Sequence, residues 1–120
     1  MFRRIIRILS KGERLLAEIE YFKNLKERVS STQITEHLGI ARSTLQIDIQ
    51  VLERFGAAFD STEGRNGGIL PTKTISVLDI VSTKVPKQKV EKLLDEQSAD
   101  NSETLKKIIN ELAISILNES

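Results

Sequence analysis

The chain has 120 residues, 39% hydrophobic and 29% charged, with a net charge of +1, one His and no Cys. Those totals fit one compact domain with a short appendage, and they rule out disulfides, zinc fingers and thiol chemistry. With no Trp, one Tyr and four Phe, the core must be aliphatic, and a stacking platform for single-stranded nucleic acid is disfavoured.

Met1 to Leu9, "MFRRIIRIL", is too short for a signal-peptide core and far too short to span a bilayer. It reads first as a short helix packed through Phe2, Ile5, Ile6 and Leu9 with its arginines outward. A DNA-contacting arm comes second and a membrane-surface segment last, because so few residues bury little area. The cytoplasm is the expected compartment, and no membrane partner is expected.

Glu13 to Lys26 carries apolar residues at Leu15, Leu16, Ile19, Phe22 and Leu25, the three-and-four spacing of an amphipathic helix. Ser30 and Gln33 then stand at capping-box spacing, so a short helix should run through Ile34 to Leu38. Gly39 suits its left-handed stop. A second helix is expected from about Arg42 to Phe55, closed by Gly56. Ala57–Asp60 and Gly68–Thr72 read as the strands of a β-hairpin around a Gly-, Asn- and Ser-rich tip. Pro71 lacks an amide donor, so its strand must lie at an edge or end there. Helix, helix, tight turn, helix and hairpin make a mainly α fold with a small β wing, a winged helix-turn-helix.

On the helix from Arg42, Leu45, Ile49 and Leu52 form a core-facing stripe, while Arg42, Ser43, Gln46 and Gln50 share another face with no acid among them. A solvated helix looks like that by default. In this bihelical setting the face is better read as a reader of double-stranded DNA. Arg donates two bonds to guanine's major-groove edge, and Gln matches adenine's. Ser43 and Thr44, near the helix N-terminus, suit phosphate or base. Ile47 lies beside the arc, where it can meet a thymine methyl or a protein. Asp48 sits at the edge of the packed face and reads as an intraprotein ion pair or hydrogen bond. In the wing, Gly64 and Gly67 let Arg65 and Asn66 approach a phosphate backbone or minor groove. The alternative there is an ordinary solvated hairpin, with Asp60 and Glu63 thinning the local positive charge.

The stretch from about Arg14 to Thr72 resembles the DeoR-type (HTH type 11) winged helix of bacterial transcription regulators. The likeness rests on "SSTQITEHLGIARSTLQIDIQVLERFG", with its capped helix, "LG" turn, "R-x-T" and "D-I", and on the glycine-rich "GRNGGILP". Two positions depart from the pattern. Ala41 stands where the family places a Ser cap, a loss of roughly 1 kcal/mol, and Ile47 stands where a basic residue is common.

Residues 74–120 read as a helical extension separate from the winged domain of residues 1–73. They hold an apolar run from Ile75 to Val81, then Pro86, a helical pattern in Val90, Leu93 and Leu94, and a candidate cap in Asp100 with Glu103. The final helix carries Leu105, Ile108, Ile109, Leu112, Ile116 and Leu117, a stripe too wide to face solvent. It can fold back on its own domain or pair with a second copy. Pairing is the preferred reading, because two recognition helices about 34 Å apart suit an inverted repeat. Twelve Lys/Arg against nine Asp/Glu in residues 1–73, and six against eight in 74–120, place the favourable charge at the front.

The expected function is sequence-specific transcription regulation by a homodimeric repressor. The alternative is a winged-helix module that binds and modulates a protein partner, with Ile47 and the terminal stripe as contacts. A lone His37, no Cys, no phosphate-cradling Gly–Lys loop and no acid/base carboxylate pair argue against an enzyme, a metal site or a cofactor.

Overall fold

The computed structural model describes residues 9–64, 67–96 and 99–120. The basic run over residues 1–8 and the wing-tip pair Arg65 and Asn66 therefore lie outside the described residues.

The first helix, α1 (Lys11–Lys23), begins two residues before the periodicity suggests, because Ser10 and Glu13 close a reciprocal capping box. Leu15, Ile19 and Phe22 are its buried stripe, with Leu16 and Leu25 packed beside them. The second helix, α2 (Ser31–Leu38), starts at the expected Ser30–Gln33 box and stops at Gly39, whose φ of 69° is left-handed. Ile34 is fully buried, and the His37 ring stacks on Tyr21 at 4.8 Å, tying α2 to α1. Helix α3 (Arg42–Arg54) follows after a short turn. As expected from Ala41, no side chain caps its start.

The wing consists of β1 (Ala58–Thr62) and β2 (Gly68–Lys73), paired antiparallel. Its register slips between Ala58 and Phe59, opposite the Pro71–Lys73 stretch. That irregularity is how an internal proline is accommodated. On the other side of β2, Val29 and Ile69 exchange both backbone hydrogen bonds, at 3.1 and 2.7 Å. The segment between α1 and α2 thereby adds a one-residue third strand that no periodicity announced. Phe22 meets Phe59 edge to face at 4.9 Å, seating the wing on α1.

Beyond the wing come α4 (Val77–Val81), α5 (Lys87–Glu96) and α6 (Ala99–Asn118). Helix α4 opens on a Ser76–Asp79 capping box, a sequence signal that the apolar run concealed. Asp100 lies inside α6 rather than before it, so the Asp100–Glu103 cap expected from sequence does not start that helix.

Helix α6 packs along α1 and α4 of its own chain, and this revises the expectation for the terminal stripe. Ile109, Ala113 and Leu117 enter the same core as Leu15, Leu45 and Leu52. Leu105 and Ile116 are half-buried against that core, while Ile108 and Leu112 face outward, 48% and 44% exposed. The stripe was wide because it serves two directions. Steps of four from Ile109 reach the core, and the neighbouring ridge does not.

The crossing of α1 and α6 depends on Gly12. A Cβ there would run into the backbone carbonyl of Ile114. The Gly12 amide donates to Asn118 Oδ1 at 2.6 Å, and the Lys11 ammonium donates to the Ser120 carbonyl, so the end of α6 satisfies the start of α1. Gly12→Ala should therefore cost about 1–3 kcal/mol as an overpacking change, although Ala is the better helix former. Thermal melting of the full chain checks this. A variant as stable as the parent would show that the two helices do not cross so closely.

Candidate nucleic-acid interface

Helix α3 is held from beneath by Leu45, Val51 and Leu52, all within 1% of complete burial, with Ile49 half-buried beside them. Asp48 is also fully buried. It accepts two hydrogen bonds from Arg14 of α1, Nε to Oδ2 at 2.6 Å and Nη2 to Oδ1 at 2.8 Å. The sequence reading of Asp48 as an internal ion-pair partner agrees with this geometry. A bidentate guanidinium fixes both distance and rotation, so α3 is locked to α1.

The sequence reading missed Glu18. It lies one turn along α1 from Arg14 and is fully buried against Asp48, and neither carboxyl oxygen meets a conventional hydrogen-bond donor. Burial, then the hydrogen bond and charge of Asp48, push its pKa up to about 9, only partly offset by Arg14 4.0 Å away. Two carboxylates cannot face each other in an apolar interior, so Glu18 keeps its proton and offers it to Asp48. Burial alone would raise Asp48. The hydrogen bonds from Arg14 and Glu18, and the charge of Arg14, outweigh that and hold it below the ordinary carboxylate range. One guanidinium, one carboxylate and one neutral acid therefore form a charge-balanced cluster under the helix.

The opposite side of α3 is open. Arg42, Ser43, Gln46 and Gln50 are exposed, Ile47 is 57% exposed, and Thr44 is half-buried at the margin. The structure thus gathers the helix residues singled out from sequence on one uncovered face. Arg42 differs from the others, because its guanidinium turns back onto α2. Nη2 and Nε donate to Ser31 Oγ at 2.6 and 3.3 Å. The side chains of Gln46 and Gln50 have no intramolecular hydrogen-bond partner among the described residues.

Polar contacts tie the wing to the segment before α2. Arg28, just before α2, pairs with the Asp60 carboxylate and donates to the carbonyls of Asp60 and Gly68 at 3.0 and 3.1 Å. Asp60 is therefore matched within the chain, and it detracts less from the wing's positive charge than sequence alone suggests. Gly68, with φ 148°, lets β2 pass against the Val29 carbonyl, where a side chain would collide.

Residues 14–69 match the model of a family of HTH domains. Within them α2, a short turn and α3 form a helix-turn-helix. The hairpin that follows completes a winged helix-turn-helix. No curated protein and no solved structure matches the chain. The helix-turn-helix match ends at Ile69, so α4, α5 and α6 stand outside it. No helix of the described residues is long and apolar enough to cross a membrane.

Proposed function

We propose that this helix-turn-helix protein is a transcription regulator of the DeoR-like winged type, a repressor that occupies an inverted-repeat operator as a homodimer. The uncovered face of α3 carries the proposal. It is a row of base-competent side chains presented on a helix that four buried positions and the Arg14 clamp hold rigid. Arg42, Ser43, Thr44, Gln46, Ile47 and Gln50 are its DNA-contacting residues, with Arg65 and Asn66 of the wing reaching the flanking backbone. Net charge is only +1, so a single copy attracts a duplex weakly, and two copies on one site double the phosphate contacts.

The dimer contact we propose is the outer ridge of α6, Ile108 and Leu112, with Leu105 and Ile116 at its margins. Ile109 and Leu117 are taken out of that role, since they fill the chain's own core. Ile108→Asp should leave the fold intact and shift the protein to monomers in sedimentation equilibrium. Operator affinity should fall by about tenfold or more as avidity is lost. Unchanged mass and affinity would remove α6 from the interface.

Selection of bound duplexes from a random pool tests the function itself. An enriched inverted repeat, with half-sites about one helical turn apart, is the expected outcome. One observation favours a second reading. Ile47 and the α6 ridge are exposed aliphatic surfaces of the kind a protein partner covers. Capture of a protein partner without measurable duplex affinity would decide for that interaction module.

A further inference from the structure

The exposed face of α3 has an unusual chemical balance. Of the two cations on α3, Arg54 stands in the last turn, and Arg42, at the N-terminal end, already spends two guanidinium donors on Ser31 Oγ. That leaves the Nε edge of the fork, one of the two that can grip guanine's O6 and N7, committed within the chain. What projects freely one turn further on is two carboxamides and an aliphatic group. The Gln46 and Gln50 side chains are exposed and without a partner among the described residues, and Ile47 between them is 57% exposed.

These groups match one kind of base pair. A carboxamide accepts from adenine's N6 and donates to its N7. A branched aliphatic side chain has nothing to offer a polar base edge, but it buries well against the 5-methyl group of thymine, the one apolar feature of the major groove. Because Gln46 and Gln50 are one turn apart and Ile47 adjoins Gln46, the three side chains sweep neighbouring base pairs rather than a single one. An exposed isoleucine on a free protein surface costs solvation with no return. Against a thymine methyl it removes apolar area on both sides.

We infer that α3 reads A·T base pairs through the major groove, with Ile47 sensing a thymine methyl and Gln46 and Gln50 taking adenines, while Arg42, seated on Ser31, anchors the phosphate backbone. This rests on the DNA-binding reading above and names the base class that reading leaves open.

The test alters the DNA by single atoms groups at a time and needs no folded variant to succeed. A duplex selected by the full chain is remade with uracil replacing thymine at each half-site position, which deletes one methyl and leaves every hydrogen bond intact. At one position the parent protein should bind about fourfold more weakly, the worth of one buried methyl group. With Ile47→Ala the same replacement should have no effect. Replacing a contacted adenine by 7-deazaadenine removes the N7 acceptor and should weaken the parent, but not the matching Gln46→Ala or Gln50→Ala variant. Arg42→Ala should weaken binding evenly across sequences and flatten the salt dependence. All of these residues are exposed, so unchanged melting curves certify the variants.

Equal binding of the thymine and uracil duplexes by the parent, with duplex affinity intact, overturns the A·T assignment and leaves DNA binding standing. So does a selected half-site of G·C pairs whose preference disappears in Arg42→Ala. If the parent ignores every duplex at low salt, both this inference and the DNA-binding reading fall.

Discussion

Arg14→Ala should destabilise the fold by about 3–5 kcal/mol at neutral pH, among the largest effects available from any partly exposed side chain. The reason is what it leaves behind. Asp48 has no exposed surface, and both of its oxygens depend on the Arg14 fork. Without the guanidinium the carboxylate is stranded in an apolar interior beside Glu18, and it must take up a proton or drag α3 outward to reach water. The loss should shrink as the pH is lowered and Asp48 is protonated. Replacing both partners, Arg14→Met with Asp48→Leu, should recover part of it, because the stranded charge disappears with its partner. Denaturant melts at two pH values measure all three quantities. A pH-independent loss would mean that Arg14 contributes packing rather than charge.

Glu18 sets a second large effect, this time of pH. An unfolded chain releases the Glu18 proton near its ordinary value of 4.5, whereas the folded chain keeps it to about 9. Between those values the folded state binds the extra proton, so raising the pH favours unfolding. The contribution is complete below the ordinary glutamate range and is lost as the pH climbs through about 9, with a limiting slope of roughly 1.4 kcal/mol per pH unit. Asp48 works in the opposite sense. Its lowered pKa gives stability above the ordinary carboxylate range, and that stability is lost as the pH falls. The two together place the stability maximum in mildly acidic solution. Glu18→Gln keeps a donor for Asp48 and cannot ionise, so it should flatten the alkaline slope and be the more stable protein at pH about 8. Parallel stability profiles for parent and variant would show that Glu18 does not hold its proton.

Much of this architecture is written in local chemistry. Ser30 with Gln33, Gly39 and the uncapped Ala41 mark the bihelical turn because caps act over three or four residues and leave a sequence trace. Pro71, which lacks an amide donor, signals an edge position, and beyond Ile69 β2 pairs with β1 alone. The features that escaped depend on which elements meet. Glu18 belongs by type to a solvated helix face, and only the approach of Asp48 from α3 makes it a buried acid. Gly12 looks like an incidental residue until Ile114 passes over it. Val29 contributes one residue to the sheet, too short a strand for any alternation to show. The terminal stripe gave its width but not its partners, since Ile109 and Ile108 are equally apolar and differ only in which way the docked helix turns them.

The candidate interface follows the same division. Gln46, Ile47 and Gln50 were legible because a helical period fixes which residues share a face, and the structure leaves that face uncovered. The seat of Arg42 on Ser31 was not legible, because eleven residues and a turn separate the two. In the A·T reading proposed above, that contact is what makes Arg42 a backbone anchor rather than a guanine reader.

Equilibrium binding of the full chain to its selected duplex, followed by fluorescence anisotropy across a series of salt concentrations, tests the central claim most directly. Log affinity should fall linearly with log salt, with a slope set by the number of phosphates neutralised. An affinity that does not respond to salt, or no affinity at the lowest ionic strength, would contradict an α3 built to enter the groove.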